Sequence, residues 1–142
     1  MTQEDKELLL QDLCARLPYG VKAESVYINP DTKERKSHGI EVFDATDILL
    51  IRDGFGEFKP YLFPLSSMTD KQKVEYNSLR DLVPTEQQCE IGNLLGDFEF
   101  VDNWRSIDYL NANYFDYRGL IEKGLAIDAT GTDIYDVPEE LL

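Results

Sequence analysis

The stretch VKAESVYINPDTKERKSHGIEVFDATDILLIRDGFGEFKPYLF, residues 21–63, decides the fold class. Residues 21–28 and 39–43 read as strands around a polar loop containing Asn29-Pro30-Asp31, a turn signal. Ile40 and Val42 alternate with Glu41, as a half-buried strand requires. The longest apolar run, Ile48-Leu49-Leu50-Ile51, fits a buried strand over residues 48–52. Asp53-Gly54 then reads as a hairpin turn, because this dipeptide supplies the positive φ that such turns need. Residues 57–63 return as a partner, and Pro60 and Pro64 push that strand toward a sheet edge. The expectation is an antiparallel meander of about four strands.

Helices are expected on both sides of it. Upstream, residues 3–17 place Leu10, Leu13, Cys14 and Leu17 at helical spacing on one apolar stripe. Thr2 can cap this helix with Asp5 three residues on, and Pro18-Tyr19-Gly20 ends it. Downstream, Thr69 and Gln72 form a capping-box pattern for a helix through Val83, stopped by Pro84. Shorter helices are expected over 86–95, with Gly96 as its stop, over 105–112, and over 116–123, closed by Gly124. In the last of these Asp116 stands at the N-cap. Gly119 asks for a close approach of another group, and Phe115, Leu120 and Ile121 for a place in the core. The acidic tail from about residue 128 is expected to be loose. A length of 142 residues suits one domain, so the reading is a single acidic α+β domain with a mainly helical C-terminal half.

Charge is the strongest anomaly. The net charge is −14, unevenly spread: residues 1–83 hold 15 acids and 11 bases, residues 84–142 hold 13 acids and only Arg105, Arg118 and Lys123. Nucleic-acid binding depends on Lys and Arg neutralising phosphates, so direct binding is excluded, and an anionic membrane would repel the chain too. Lys33, Arg35 and Lys36, interrupted by Glu34, read as a solvated hairpin tip. The opening MTQEDKELLLQDL is acidic where a secretory signal is basic and then apolar. No run approaches the ~18 apolar residues of a membrane span. A cytoplasmic location is expected, with Cys14 and Cys89 as unpaired, buried thiols.

Catalytic templates find little purchase. The single histidine, His38, sits beside Gly39 in what reads as a polar, exposed loop far from either cysteine, and is expected to be a surface loop residue. Zinc sites built on Cys and His lack ligands. Asp97, Glu99 and Asp102 form one acidic cluster and Asp128, Asp133 and Asp136 another, but neither has calcium-loop spacing. In a chain with 28 acids such groupings arise by chance. No phosphate-cradling glycine motif is present, and no catalytic, metal or cofactor residue is assigned. An aromatic block, Trp104, Tyr109, Tyr114, Phe115 and Tyr117, has the composition of a binding hot spot, although core filling accounts for it more simply. Arg118 and Glu122 read as a helix-surface pair.

Two segments, KPYLFPLSSMT (residues 59–69) and IDYLNANYFDYRGLIEKGLAIDA (residues 107–129), carry a resemblance to uncharacterised proteins of phages and mobile elements of gut Bacteroidales. Its distinctive core is Phe115-Asp116-Tyr117-Arg118-Gly119-Leu120-Ile121. That group often has one or two histidines just before this run. Here Asn113 and Tyr114 stand there, so no histidine site carries over. The resemblance implies a genomic setting and no activity. Together with the charge it leads to the expectation of a non-catalytic acidic protein, a nucleic-acid mimic in its charge, that inhibits or modulates a basic nucleic-acid-handling protein. The alternatives are a carboxylate-dependent divalent-metal enzyme and a phage structural or assembly accessory.

Overall fold

A computed structural model describes residues 1–84 and 98–136. They are mixed α and β and fall into two compact units. One comprises residues 1–67 with the chain from Tyr114 onward, the other residues 68–113.

The first unit begins with α1 (Gln3–Arg16), whose N-cap is Thr2: its hydroxyl accepts from the Asp5 N–H at 3.0 Å. Strands β1 (Lys22–Ile28) and β2 (Arg35–Val42) form an antiparallel hairpin around the polar turn. The chain then makes a helix, α2 (Ala45–Asp53), where a buried strand was expected. The local chemistry explains this correction. The Asp44 side chain accepts from the Asp47 N–H while the Asp47 side chain accepts from the Asp44 N–H, a capping box. Gly54, at φ +82°, is the left-handed residue that stops this helix, not the centre of a hairpin turn.

Strand β3 (Gly56–Pro64) follows, and it is interior rather than at the edge. It pairs antiparallel with β1 on one side and parallel with the short strands β6 (Phe115–Asp116) and β7 (Ile127–Asp128) on the other. Pairing to β7 begins at Tyr61, one residue past Pro60, which has no N–H to give. The sheet is therefore mixed, in the order β2-β1-β3-β6 with β7 also on β3, and not a four-strand meander.

Leu9 and Leu13 of α1 and Ile51 of α2 join Ala23, Phe58 and Leu62 of the sheet in one apolar core, with Val21, Phe43, Leu120 and Leu125. Phe43 meets Phe58 edge to face at 5.4 Å. Each fully buried side chain of this size contributes roughly 1.5–3 kcal/mol. The stripe of α1 is turned by one residue from the expected one. Its buried positions are Leu9, Asp12, Leu13 and Arg16; Leu10 and Leu17 are half-buried and Cys14, a free thiol, is exposed. Cys89 and the helix expected over 86–95 lie outside the described residues.

Asp12 and Arg16 are both fully buried, and their ion pair draws on the far end of the chain. Arg16 donates to Asp12 at 2.9 and 3.1 Å and to the Phe115 carbonyl at 2.6 Å. Arg118, expected to pair with Glu122 on a helix surface, instead donates to Asp12 at 2.8 Å. Both guanidinium groups lie over the Tyr117 ring, at 5.4 and 4.5 Å.

No helix forms over residues 116–123: Asp116 ends β6, and the chain after it turns. The Asp116 carboxylate closes the turn by accepting from the Leu120 and Ile121 N–H groups at 3.0 and 2.9 Å. Gly119 sits at φ +76° with open space where a Cβ would be, so the backbone conformation, not a close approach, calls for glycine. We expect Gly119→Ala to lower the unfolding free energy by about 1–2 kcal/mol, the cost of a left-handed L-residue. A loss under about 0.3 kcal/mol in a urea melt would show that the turn relaxes instead. Further on, the Tyr135 hydroxyl donates to the Tyr61 carbonyl at 2.7 Å and accepts from the Lys22 N–H at 2.9 Å, and its ring stacks on Tyr114 at 3.6 Å. These contacts fix the segment after β7 to the sheet.

The second unit contains α3 (Asp70–Leu79), β4 (Asp81–Pro84), β5 (Phe98–Val101) and α4 (Trp104–Ala112). The Thr69–Gln72 capping box is present, but α3 stops at Leu79, and residues expected in its last turn pair as β4 with β5. Phe63 of β3 stands opposite Phe115 of β6, and the Phe63 N–H donates to the Tyr114 carbonyl at 2.8 Å. The chain thus leaves and re-enters the first unit at neighbouring points, which makes residues 68–113 an insertion. Among the described residues no helix is long and apolar enough to cross a membrane.

Candidate functional site

The inserted unit is held mainly by polar and aromatic contacts. Asn103 caps α4, accepting from the Arg105 and Ser106 N–H groups at 3.0 and 2.9 Å, and its amide donates to the Leu79 carbonyl at 2.7 Å. The Tyr76 and Tyr109 rings stack at 6.3 Å. The Tyr76 hydroxyl donates to Asp102, and that of Tyr109 to Glu75 at 3.0 Å. Desolvation and these carboxylate acceptors push both tyrosines up to about 12, so both remain donors at neutral pH. Arg80 lies between the Tyr76 and Phe100 rings, at 4.9 and 5.5 Å, with its Nε 3.3 Å from Asp102.

What this frame displays is apolar. Trp104, the first residue of α4 and the only tryptophan in the chain, is 79% exposed. Val74, Leu82, Phe98, Phe100 and Val101 of the same unit are exposed as well. Leu82 faces Phe100 across the β4–β5 pair and Pro84 faces Phe98, so one side of that ribbon is an apolar row. Beside Trp104 runs a groove of about 300 Å³, lined by Leu79, Arg105, Asp108, Tyr109, Ala112 and Asn113. Trp104, Asp108 and Ala112 follow one another at four-residue spacing along α4, so they share a face. Arg105 is drawn toward Asp81, at 3.9 Å.

Trp104 is thus the most exposed of the large apolar side chains of this unit, and exposed apolar clusters of this kind are where protein surfaces commonly bind others. No family model, curated protein or solved structure matches the chain. The site therefore rests on its own geometry.

The sequence-level aromatic block divides between the units. Trp104 and Tyr109 belong to the insertion, where Trp104 is exposed rather than core. Phe115 is buried in the first unit, with Tyr114 and Tyr117 half-buried. His38 is not in a loop but on β2, its ring 4.3 Å from Tyr27 and its Nδ1 3.8 Å from Glu41. The Tyr27 hydroxyl donates to Glu41 at 2.8 Å, and burial first, then that acceptor, raises its pKa. Burial also raises the pKa of Asp47, with Asp44 and Glu41 adding to it. Arg35 is engaged by Glu57, leaving the expected basic tip partly neutralised. Of the acidic clusters, Asp97 lies outside the described residues, Asp102 serves Tyr76 and Arg80, and Asp128 accepts from the Thr130 N–H at 2.9 Å. Among the described residues no group of three or more His, Cys, Asp or Glu side chains could hold a metal ion.

Proposed function

We propose that this chain is a non-catalytic, acidic binding protein of phage or mobile-element origin that inhibits or modulates a basic, nucleic-acid-handling protein, and that it makes contact through the α4 face of the insertion. The observation that carries this reading is Trp104, 79% exposed on a chain of net charge −14. Interface hot spots are enriched in tryptophan, while a large net charge steers oppositely charged partners and sets association rates. The insertion supports the same division of labour: beside the packed sheet unit, the inserted unit exposes several large apolar side chains. Carboxylates spread over such a surface compete for the cationic side chains that would otherwise meet phosphates.

The test is capture by immobilised protein from a Bacteroidales lysate at low and high salt, with wild type and Trp104→Ala side by side. Wild type should retain a basic protein at low salt and release it at high salt, and Trp104→Ala should retain at least tenfold less with an unchanged melting temperature. Equal retention by the variant would remove α4 as the contact face. Stabilisation by Mg²⁺ or Ca²⁺ would favour the metal enzyme, and salt-insensitive self-association the assembly accessory.

A further inference from the structure

We infer that the joint where β2 runs into α2 is a proton-operated clasp. In mildly acidic medium Asp47 takes up a proton there, which removes its repulsion with Glu41 and Asp44 and fastens the start of α2 to the β1–β2 hairpin. These three carboxylates recur at three-residue intervals, on the end of β2, at the N-cap and in the first turn of α2. Their donors are uncharged. Glu41 accepts from the Tyr27 hydroxyl at 2.8 Å, Asp44 from the Thr46 and Asp47 N–H groups at 2.9 and 3.2 Å, and Asp47 from the Asp44 N–H at 3.0 Å. Asp47 is the buried member, 6% exposed. Holding a charge out of water beside like charges is costly unless a cation pairs with it.

Among the described residues no lysine or arginine pairs with any of the three. From β1 the joint receives Tyr27, and from β2 His38, whose Nδ1 is 3.8 Å from Glu41. Lys36 stands opposite Tyr27 in the ladder but is exposed. From β3 comes Phe58, its ring 5.8 Å from Tyr27, while Glu57 and Lys59 lie with Arg35 on the other face of the sheet. From α1 comes Lys6, which donates to the Arg52 carbonyl at 3.1 Å, at the far end of α2.

Burial raises the Asp47 pKa above its ordinary value and Asp44 and Glu41 raise it further, against the pull of the Asp44 N–H and the Tyr27 hydroxyl. A carboxyl raised in this way binds its proton more tightly in the folded chain. Its stabilising effect is full below the unfolded value, about 3.9 for aspartate, and is lost as pH rises through the folded value. The positive end of α2 favours the carboxylate, but Asp44 already occupies it. Protonated Asp47 keeps an oxygen for the Asp44 N–H, so the capping box survives and only the repulsion goes.

The experiment takes the full-length protein from about pH 7.5 to about pH 4.5, following the Asp47 carboxyl carbon by NMR and the exchange of the Asp44, Thr46 and Asp47 amides. Asp47 should titrate above the ordinary value of about 3.9, and Glu41→Gln should lower its midpoint while Glu7→Gln, on the exposed face of α1, leaves it in place. Amide protection, corrected for intrinsic exchange, should rise at least about threefold toward acid in wild type and stay level in Asp47→Asn, which retains an acceptor. Asp47→Asn should melt about 2–4 °C above wild type at neutral pH, with the gap narrowing toward acid, and exposed Asp133→Asn should show no such narrowing. An Asp47 midpoint at or below the ordinary value overturns the proton site. Protection that ignores pH, or follows it equally in Asp47→Asn, overturns the clasp. If Asp47→Asn does not fold, the wild-type titration, the wild-type exchange and Glu41→Gln decide alone.

Discussion

Replacing Asp12 with alanine should lower the stability of the chain by about 3–5 kcal/mol, the usual cost of stripping a buried ion pair of one partner. Asp12 is fully buried and accepts from two guanidinium groups, Arg16 at 2.9 and 3.1 Å and Arg118 at 2.8 Å. Alanine would leave Arg16, itself fully buried, facing Arg118 with no negative charge between them. The Phe115 carbonyl and the Tyr117 ring would remain, but neither carries the full negative charge of a carboxylate. Domains of this size are stable by only about 5–15 kcal/mol, so the loss is a large fraction of the total. Asp12→Asn, which keeps an acceptor and loses the charge, should fall between wild type and Asp12→Ala. Urea melts followed by far-ultraviolet circular dichroism provide the measurement. A loss below about 1 kcal/mol for Asp12→Ala would mean that water enters and solvates the guanidinium groups.

That network also marks where the sequence stops being legible. Counting apolar residues along α1 favours the phase 10, 13, 14, 17, yet the buried phase is 9, 12, 13, 16, about 100° away. Asp12 and Arg16 at four-residue spacing look like an exposed surface pair. Their burial depends on Arg118, 106 positions along the chain, which no local pattern contains. The displaced stripe is what puts Cys14 outside.

Residues 48–51 fail for a different reason. Four apolar residues cannot separate helix from strand by period. The flanks could have decided it, since Asp44 and Asp47 make a capping box and Gly54 a left-handed stop, but Asp53-Gly54 was equally good as a turn. Trp104 lies two residues before buried Ser106, about 200° round the helix, so a cap placed at Asn103 would have pointed the indole outward. The strands over 22–28 and 56–64 and the capping box at Thr69 were readable because their signals are local.

Asp116→Ala should cost about 2–4 kcal/mol, more than an exposed helix cap, because a buried amide and a half-buried one lose their acceptor together. Asp116 pairs opposite Pro64 in the sheet and is itself buried, as is Leu120, whose N–H it accepts along with that of Ile121. Neither N–H has a helix to enter, since the chain after Asp116 turns, and Leu120 cannot swing to solvent without leaving the core it shares with Leu9 and Phe58. Asp116→Asn retains one oxygen acceptor and should lose about half as much. The same variants separate structure from recognition. If residues 115–121 serve only to close the turn, folded Asp116→Ala protein at low temperature should capture its partner as wild type does, and its Trp104 emission should be unchanged. A variant that keeps its melting temperature but loses capture would make this run, and not the α4 face, the surface that meets the partner.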